Sequence, residues 1–178
     1  MPGIDENLPF HPLHIAVLPV SDTWTMASDT SGAVLVERFT AAGHNLAARA
    51  IVTDDVEVIR DQMRAWIADR AVDIVVSTGG TGFTPRDVTP EAVMPLLRRV
   101  MDGFSVVFHQ VSMGTIGVST LQSRAFAGQA EDTFIFCVPG STGACRDAWD
   151  LVLGLEFDSR YRPCSIAGQL PRLRDVCA

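Results

Sequence analysis

The stretch from Asp73 to Val93, DIVVSTGGTGFTPRDVTPEAV, constrains this chain more than any other. Asp73 to Ser77 is a short apolar run with β-branched side chains, closed by glycines, and predicts a buried strand. A helix start follows. Thr89 is a good N-cap, Pro90 suits the first helical position, and Glu91 complements the positive end of the dipole. Between strand and helix, Gly79, Gly80 and Gly82 permit backbone conformations and close approaches that a Cβ resists. A loop with free N–H groups and a helix N-terminus behind it can hold an anion. A tight turn that binds nothing has the same local pattern, so the residues alone leave both readings open. Arg86 and Asp87 add a cation and a carboxylate at the loop's end.

The rest of the chain repeats the strand-then-helix rhythm. His14 to Ser21 is a nearly continuous apolar run suited to a central parallel strand, with Pro19 interrupting the ladder near its end. Residues 44–52 form a weaker strand expected nearer an edge, and Thr133 to Val138 another buried one. Helices are predicted over Gly32 to Ala42, over residues 53–70 with Thr53 or Asp54 as cap, and from Pro90 to about Met101, where Asp102-Gly103 breaks it. Residues 104–127 read as helical with interruptions at Gly114 and Gly117, ending in a short helix from Leu121 to Ala127. The turn PGSTG after Val138 leads into a further helix. Residues 1–13 read as an arm, 14–165 as one domain and 166–178 as a tail. Strands alternating with helices predict an α/β domain with a mainly parallel sheet. Right-handed crossovers then bring loops 21–31, 78–88 and 139–143 to one sheet edge, where α/β proteins bind ligands.

Composition narrows the chemistry. All 14 basic residues are arginine, which removes Schiff-base, pyridoxal-phosphate and P-loop lysine mechanisms. The net charge of −7 and the scattered arginines argue against a nucleic-acid surface. No apolar run reaches the roughly 18 residues of a membrane span. MPGIDENLPF is acidic and proline-bearing, unlike a signal or transit peptide. Cys137, Cys145, Cys164 and Cys177 show no CxxC or zinc spacing, so reduced thiols in a cytoplasmic protein are expected. GGTGFTPRD lacks the third glycine of the dinucleotide fingerprint, no GxSxG occurs, and His11, His14, His44 and His109 form no HExxH. What survives is a pair of glycine loops with Asp54 and Asp87 at strand–helix junctions. Carboxylates beside an anion site repel the ligand unless a cation such as Mg²⁺ bridges them, so the residues point to metal-assisted chemistry on a phosphate-bearing ligand.

TGGTGFTPRDVTPEA (Thr78 to Ala92) resembles the signature of the molybdopterin-binding proteins of molybdenum cofactor synthesis. The resemblance spans roughly residues 13–165 and includes DTSG (Asp29 to Gly32), AGH (Ala42 to His44), STLQSRAFAG (Ser119 to Gly128) and PGSTGACR (Pro139 to Arg146). With RPC at Arg162 to Cys164, the last two segments are more similar to the protein B branch than to the dedicated adenylyltransferase. The resemblance implies a three-layer α/β/α sandwich assembling as a homotrimer or homohexamer. It also implies molybdopterin and ATP as substrates with Mg²⁺, and adenylylation of molybdopterin with release of pyrophosphate. A non-catalytic pterin-binding or scaffold role on the same fold is its alternative. Carried over residue by residue, Thr78, Gly79, Gly80, Thr81 and Gly82 hold phosphate, and Asp87 and Asp54 are the functional acids and metal ligands. Thr53 stands where the transferase has proline. Ser119, Gly140 and Ser141 lie near pterin or phosphate, with helix capping the competing role for the serines, and Arg86 neutralises ligand charge or is simply exposed.

Overall fold

Successive residues of the central strands enter opposite cores, the signature of a sheet covered on both faces. The structure, a computed structural model, describes residues 2–175. Its main strands and helices are β2 (His14–Pro19), α1 (Thr30–Ala41), β3 (Asn45–Arg49), α2 (Val56–Ala68), β4 (Ile74–Thr78) and α3 (Thr89–Val93) in the first half, after a short β1 (Gly3–Ile4). The second half holds β5 (Arg99–Val100), α4 (Asp102–Ile116), β6 (Phe126–Ala130), β7 (Thr133–Val138) and α5 (Thr142–Ala148). α5 continues through a π turn into α6 (Gly154–Glu156), followed by β8 (Tyr161–Arg162) and α7 (Ile166–Asp175).

The six-stranded sheet has the order β3-β2-β4-β7-β6-β5. β3, β2, β4 and β7 run parallel, and β6 and β5 are added antiparallel. Ile15, Val17, Ile74, Val76, Phe134 and Phe136 pack with Leu35 and Phe39 of α1, Phe104 and Phe108 of α4, and Ala148 of α5. On the other face Ala16, Leu18, Val75, Ile135 and Cys137 meet Ile59, Met63 and Trp66 of α2 and Ala92 and Val93 of α3. Helix, sheet and helix thus make three layers around a mainly parallel sheet, as the sequence predicts. The chain runs from β2 through α1 to β3 on one side, then through α2 to β4 on the other side of β2. The strand order reverses between β2 and β4, so the chain leaves them for helices on opposite faces of the sheet and a crevice opens at their carboxyl ends.

Several sequence expectations are corrected. The helix predicted from Pro90 to Met101 is one short helix and a 3₁₀ turn (Met94–Leu96) before β5. Pro95 is the cause, because it removes an N–H and crowds the preceding turn. Thr89 does not cap that helix, and Asp102 starts α4 instead of ending a helix. Residues 117–122 are 3₁₀, and Phe126 to Ala130 is a strand, not the end of a helix. Neither Thr53 nor Asp54 caps α2. Asp55 does, accepting from the N–H groups of Glu57 and Val58. Within the stretch read as an arm, Gly3 and Ile4 pair antiparallel to Arg162 and Tyr161, and the His11 N–H donates to the Ser159 hydroxyl. Ile166, Ala167 and Leu170 of α7 enter the first core.

Candidate functional site

The crevice at the strand-order reversal is a polar cleft of about 300 Å³. Val20, Ser21 and Trp24 line it after β2, Gly79 to Gly82 and Asp87 after β4, and Pro139 and Gly140 after β7. Asp54, Gln122 and Ser123 complete the lining. The three loops predicted to converge therefore do so. A larger groove of about 490 Å³ lies beside it under α3 and α4. Its walls are mainly apolar (Pro90, Met94, Val100, Met101, Phe126), so the smaller cleft is the one equipped for polar chemistry.

Two glycines are dictated by this convergence. Gly79 has φ +107°, and a Cβ there would stand 2.3 Å from the Val20 carbonyl oxygen. Gly80 has φ +64°, and a Cβ would stand 2.4 Å from the Thr89 hydroxyl. Both positions combine a backbone conformation that L residues avoid with contact too close for a side chain. The loops after β2 and β4 touch backbone to backbone only because no side chain intervenes.

The glycine loop is also polarised. The Thr89 hydroxyl donates to the Gly79 carbonyl (2.8 Å), and the Thr89 N–H to the Gly80 carbonyl (3.0 Å). The Arg124 N–H donates to the Thr81 carbonyl (2.8 Å) and its Nε to the Gly82 carbonyl (2.8 Å). In a trans peptide the next N–H points opposite to the carbonyl. Anchoring these oxygens on one side therefore turns the N–H groups of Gly80, Thr81 and Gly82 to the other. The Gly82 N–H serves the Asp87 carboxylate. Among the described residues those of Gly80 and Thr81 donate to no protein group. Unpaired amides lining a cleft make an anion cradle.

The two predicted acids are in different electrostatic states. Asp87 accepts from the Thr84 N–H (2.8 Å) and hydroxyl (2.6 Å). Burial works against its ionisation, but the bonds from Thr84 and Gly82 and the charge of Arg124 outweigh that and hold its pKa below the usual carboxylate value. Asp54 is pushed the other way, first by burial and then by the negative charges of Asp22 and Asp87. Asp22 and Asp54 exchange hydrogen bonds, Asp22 N–H to Asp54 Oδ2 (3.0 Å) and Asp54 N–H to Asp22 Oδ1 (3.1 Å). Arg86 donates to Asp22 from Nε (2.8 Å) and also from Nη2. That bond holds the Asp22 carboxyl below its ordinary value.

The remaining predicted residues divide. Thr78 is buried, and its hydroxyl donates to the Pro139 carbonyl (2.9 Å), so it braces two loops instead of lining the cleft. Thr81 is buried beside Ser123. Gly140 lines the cleft while its carbonyl accepts from the Ser31 hydroxyl (3.0 Å). Ser141 caps α5 through the Ala144 N–H (3.0 Å), and Ser119 is exposed on the 3₁₀ helix away from the lining. Cys145 is buried against Thr78, and burial pushes its thiol up to about 11, which leaves it inert at neutral pH. Sequence reasoning missed Asp22, Gln122, Ser123 and Arg124. Gln122 to Arg124 fall inside a quoted motif, but their roles depend on contacts with the distant glycine loop.

Mg²⁺ fits the donor set present. Among the described residues no group of three or more acidic, histidine or cysteine side chains gathers as a preformed metal cage. Mg²⁺ does not require one, since it is held by one or two carboxylates together with substrate phosphates and water. Asp54 and Asp87 beside an amide cradle meet that description, and the mutual repulsion felt at Asp54 is what a bound cation relieves.

Comparison with known proteins gives concordant results. Residues 16–157 match the family described as "probable molybdopterin binding domain". Molybdenum cofactor biosynthesis protein B of Escherichia coli (strain K12) is 46% identical over 163 residues, covering 92% of this chain and 96% of that protein. The protein of the same name from Staphylococcus epidermidis is 39% identical over 150 residues, covering 82% and 85%. A crystal structure of a molybdenum cofactor biosynthesis protein B superposes with a TM-score of 0.84 at 34% identity, covering 93% of this chain and 98% of that one.

Proposed function

The chain belongs to the molybdopterin-binding domain family, and from that premise we propose that it acts in molybdenum cofactor biosynthesis by adenylylating molybdopterin with Mg-ATP. The observation that carries the reading is the polarised glycine loop, whose free amides at Gly80 and Thr81 belong to residues that line the same cleft as Asp54 and Asp87. An oxygen of molybdopterin's terminal phosphate attacks the α-phosphorus of ATP. The bond from that phosphorus to the bridging oxygen breaks, and pyrophosphate leaves. Such transfers need positioning and charge stabilisation more than covalent help. The amides of Gly80 and Thr81 hold phosphate oxygens. Asp54 and Asp87 would hold Mg²⁺, which would neutralise phosphate charge there. Arg86 is released from Asp22 to meet ligand charge as the phosphates enter.

Two further features belong to this reading. Val106, Met113, Ile116, Val118 and Leu121 leave an exposed apolar surface on α4 and the following 3₁₀ helix, which we assign to contacts between copies in a homotrimer or homohexamer. Among the described residues no helix is long and apolar enough to cross a membrane, and Cys137, Cys145 and Cys164 are free thiols. The free thiols support a reducing compartment such as the cytoplasm as its location.

The test is incubation with molybdopterin and Mg-ATP, read as adenylylated pterin and pyrophosphate, with Asp87→Asn as control. Product from the wild type and its loss in the variant are expected. Pterin binding without product would instead make the chain a pterin-binding or scaffold protein of the pathway, and product unaffected by Asp87→Asn would remove that residue from the site.

A further inference from the structure

We propose that Arg124 is a positioning residue that fixes the second half of the glycine loop and holds Asp87 in place beside the phosphate cradle, an inference that rests on the adenylylation reading above. Arg124 follows the 3₁₀ helix and precedes β6, far in sequence from the loop it holds. Its backbone N–H donates to the Thr81 carbonyl (2.8 Å), its Nε to the Gly82 carbonyl (2.8 Å), and its Nη2 to the Asp87 carbonyl (2.6 Å). Nη1 pairs with Glu91, and the guanidinium lies 5.5 Å over the Phe83 ring. One side chain therefore holds the loop at both ends and is itself held from the helix side.

The physical consequence concerns peptide orientation. A glycine-rich segment meets little steric resistance to rotating a peptide plane, because both flanking dihedrals are permissive. Rotation of the unit after Thr81 would pull the Gly82 N–H away from Asp87, and rotation of the unit after Gly82 would free the Gly82 carbonyl to turn toward an anion and repel it. Arg124 opposes the first through its backbone N–H on the Thr81 carbonyl and the second through the charge-assisted bond from Nε to the Gly82 carbonyl. It also fixes Asp87 through that residue's own carbonyl while its charge favours the ionised carboxyl. A lysine keeps the charge but cannot reach three oxygens in a fixed planar fork. The role is thus specific to arginine and distinct from simple charge neutralisation.

The experiment compares wild type, Arg124→Ala and Arg124→Lys in the adenylylation assay with and without methylguanidine. It adds the amide NMR signal of Gly82, and those of Gly80 and Thr81 on addition of pyrophosphate. The account expects kcat/KM to fall roughly 10²-fold in Arg124→Ala, the scale of a mispositioned site, with methylguanidine restoring at least about tenfold of it. Arg124→Lys should stay at least about tenfold below wild type although folded, because its fork is lost. The Gly82 amide signal should shift and broaden in both variants, because the carbonyl of that residue has lost its bond from Nε. Wild-type kcat/KM in folded Arg124→Lys overturns the proposal, as does a loss in folded Arg124→Ala that methylguanidine does not relieve. If Arg124→Ala fails to fold, the lysine variant decides alone. Wild type that neither turns over nor shows the amide shifts sinks the adenylylation reading, and this proposal with it. Active wild type with insensitive variants sinks the positioning role only.

Discussion

Gly79→Ala should be among the most damaging single-methyl additions this chain can suffer. The new Cβ would lie 2.3 Å from the Val20 carbonyl oxygen, on a residue with φ +107°. The conformation alone costs about 1–3 kcal/mol for a residue with a side chain. The clash adds about 1–3 kcal/mol, since the obstructing atom is backbone and cannot rotate away. The expected sum is about 2–6 kcal/mol, a large part of the roughly 5–15 kcal/mol that holds a domain folded. Gly103→Ala is the matched control. It lies in the first turn of α4 with nothing within 4 Å of its would-be Cβ, so alanine should be neutral or stabilise by about 0.4–1 kcal/mol. Urea unfolding of the two variants beside wild type measures the contrast. Because the clash wedges apart the loops after β2 and β4, Gly79→Ala should also lose Mg-ATP binding under conditions where it remains folded. Gly79→Ala with wild-type stability would refute the claim that direct backbone contact builds the cleft.

Two other predictions follow from charge and from exposed apolar area. Asp54 has a raised pKa, so Mg-nucleotide affinity should fall on acidification as Asp54 protonates, before Asp87, whose pKa is lowered, takes up a proton. Asp22→Asn removes a charge that raises the Asp54 pKa and should move the acid limb to lower pH, as calorimetric titration across pH would show. If copies associate through the apolar surface proposed above, light scattering should show the wild type as an oligomer and Val118→Asp with Leu121→Asp as a monomer of unchanged stability, because both side chains are solvent-exposed in the single chain.

The central sheet was legible because β2, β4 and β7 are continuous apolar runs, which only burial on both faces explains. β6 was not. FAGQA has low intrinsic strand preference, and its pairing with β7 is a tertiary effect. The hairpin that joins them turns at Glu131, which takes φ 49° without the glycine or asparagine that normally announces such a turn. The site shows the same division. Gly79 to Gly82 and Asp87 lie in one contiguous motif and could be read, whereas Asp54 was blurred by its neighbour Asp55, the true cap of α2. Asp22 and Arg124 gave no local signal. Each acts on partners more than thirty residues away, in contacts that only the folded chain creates.

The account stands most directly on where the phosphates of ATP go. ATP labelled at the α-phosphate or at the γ-phosphate, incubated with the protein, Mg²⁺ and molybdopterin, separates the possibilities. The α label should appear in the pterin product and the γ label in pyrophosphate, in equal amounts, with both transfers lost in Asp87→Asn. Release of the γ label as orthophosphate, or retention of both labels in ATP while pterin stays bound, would contradict it.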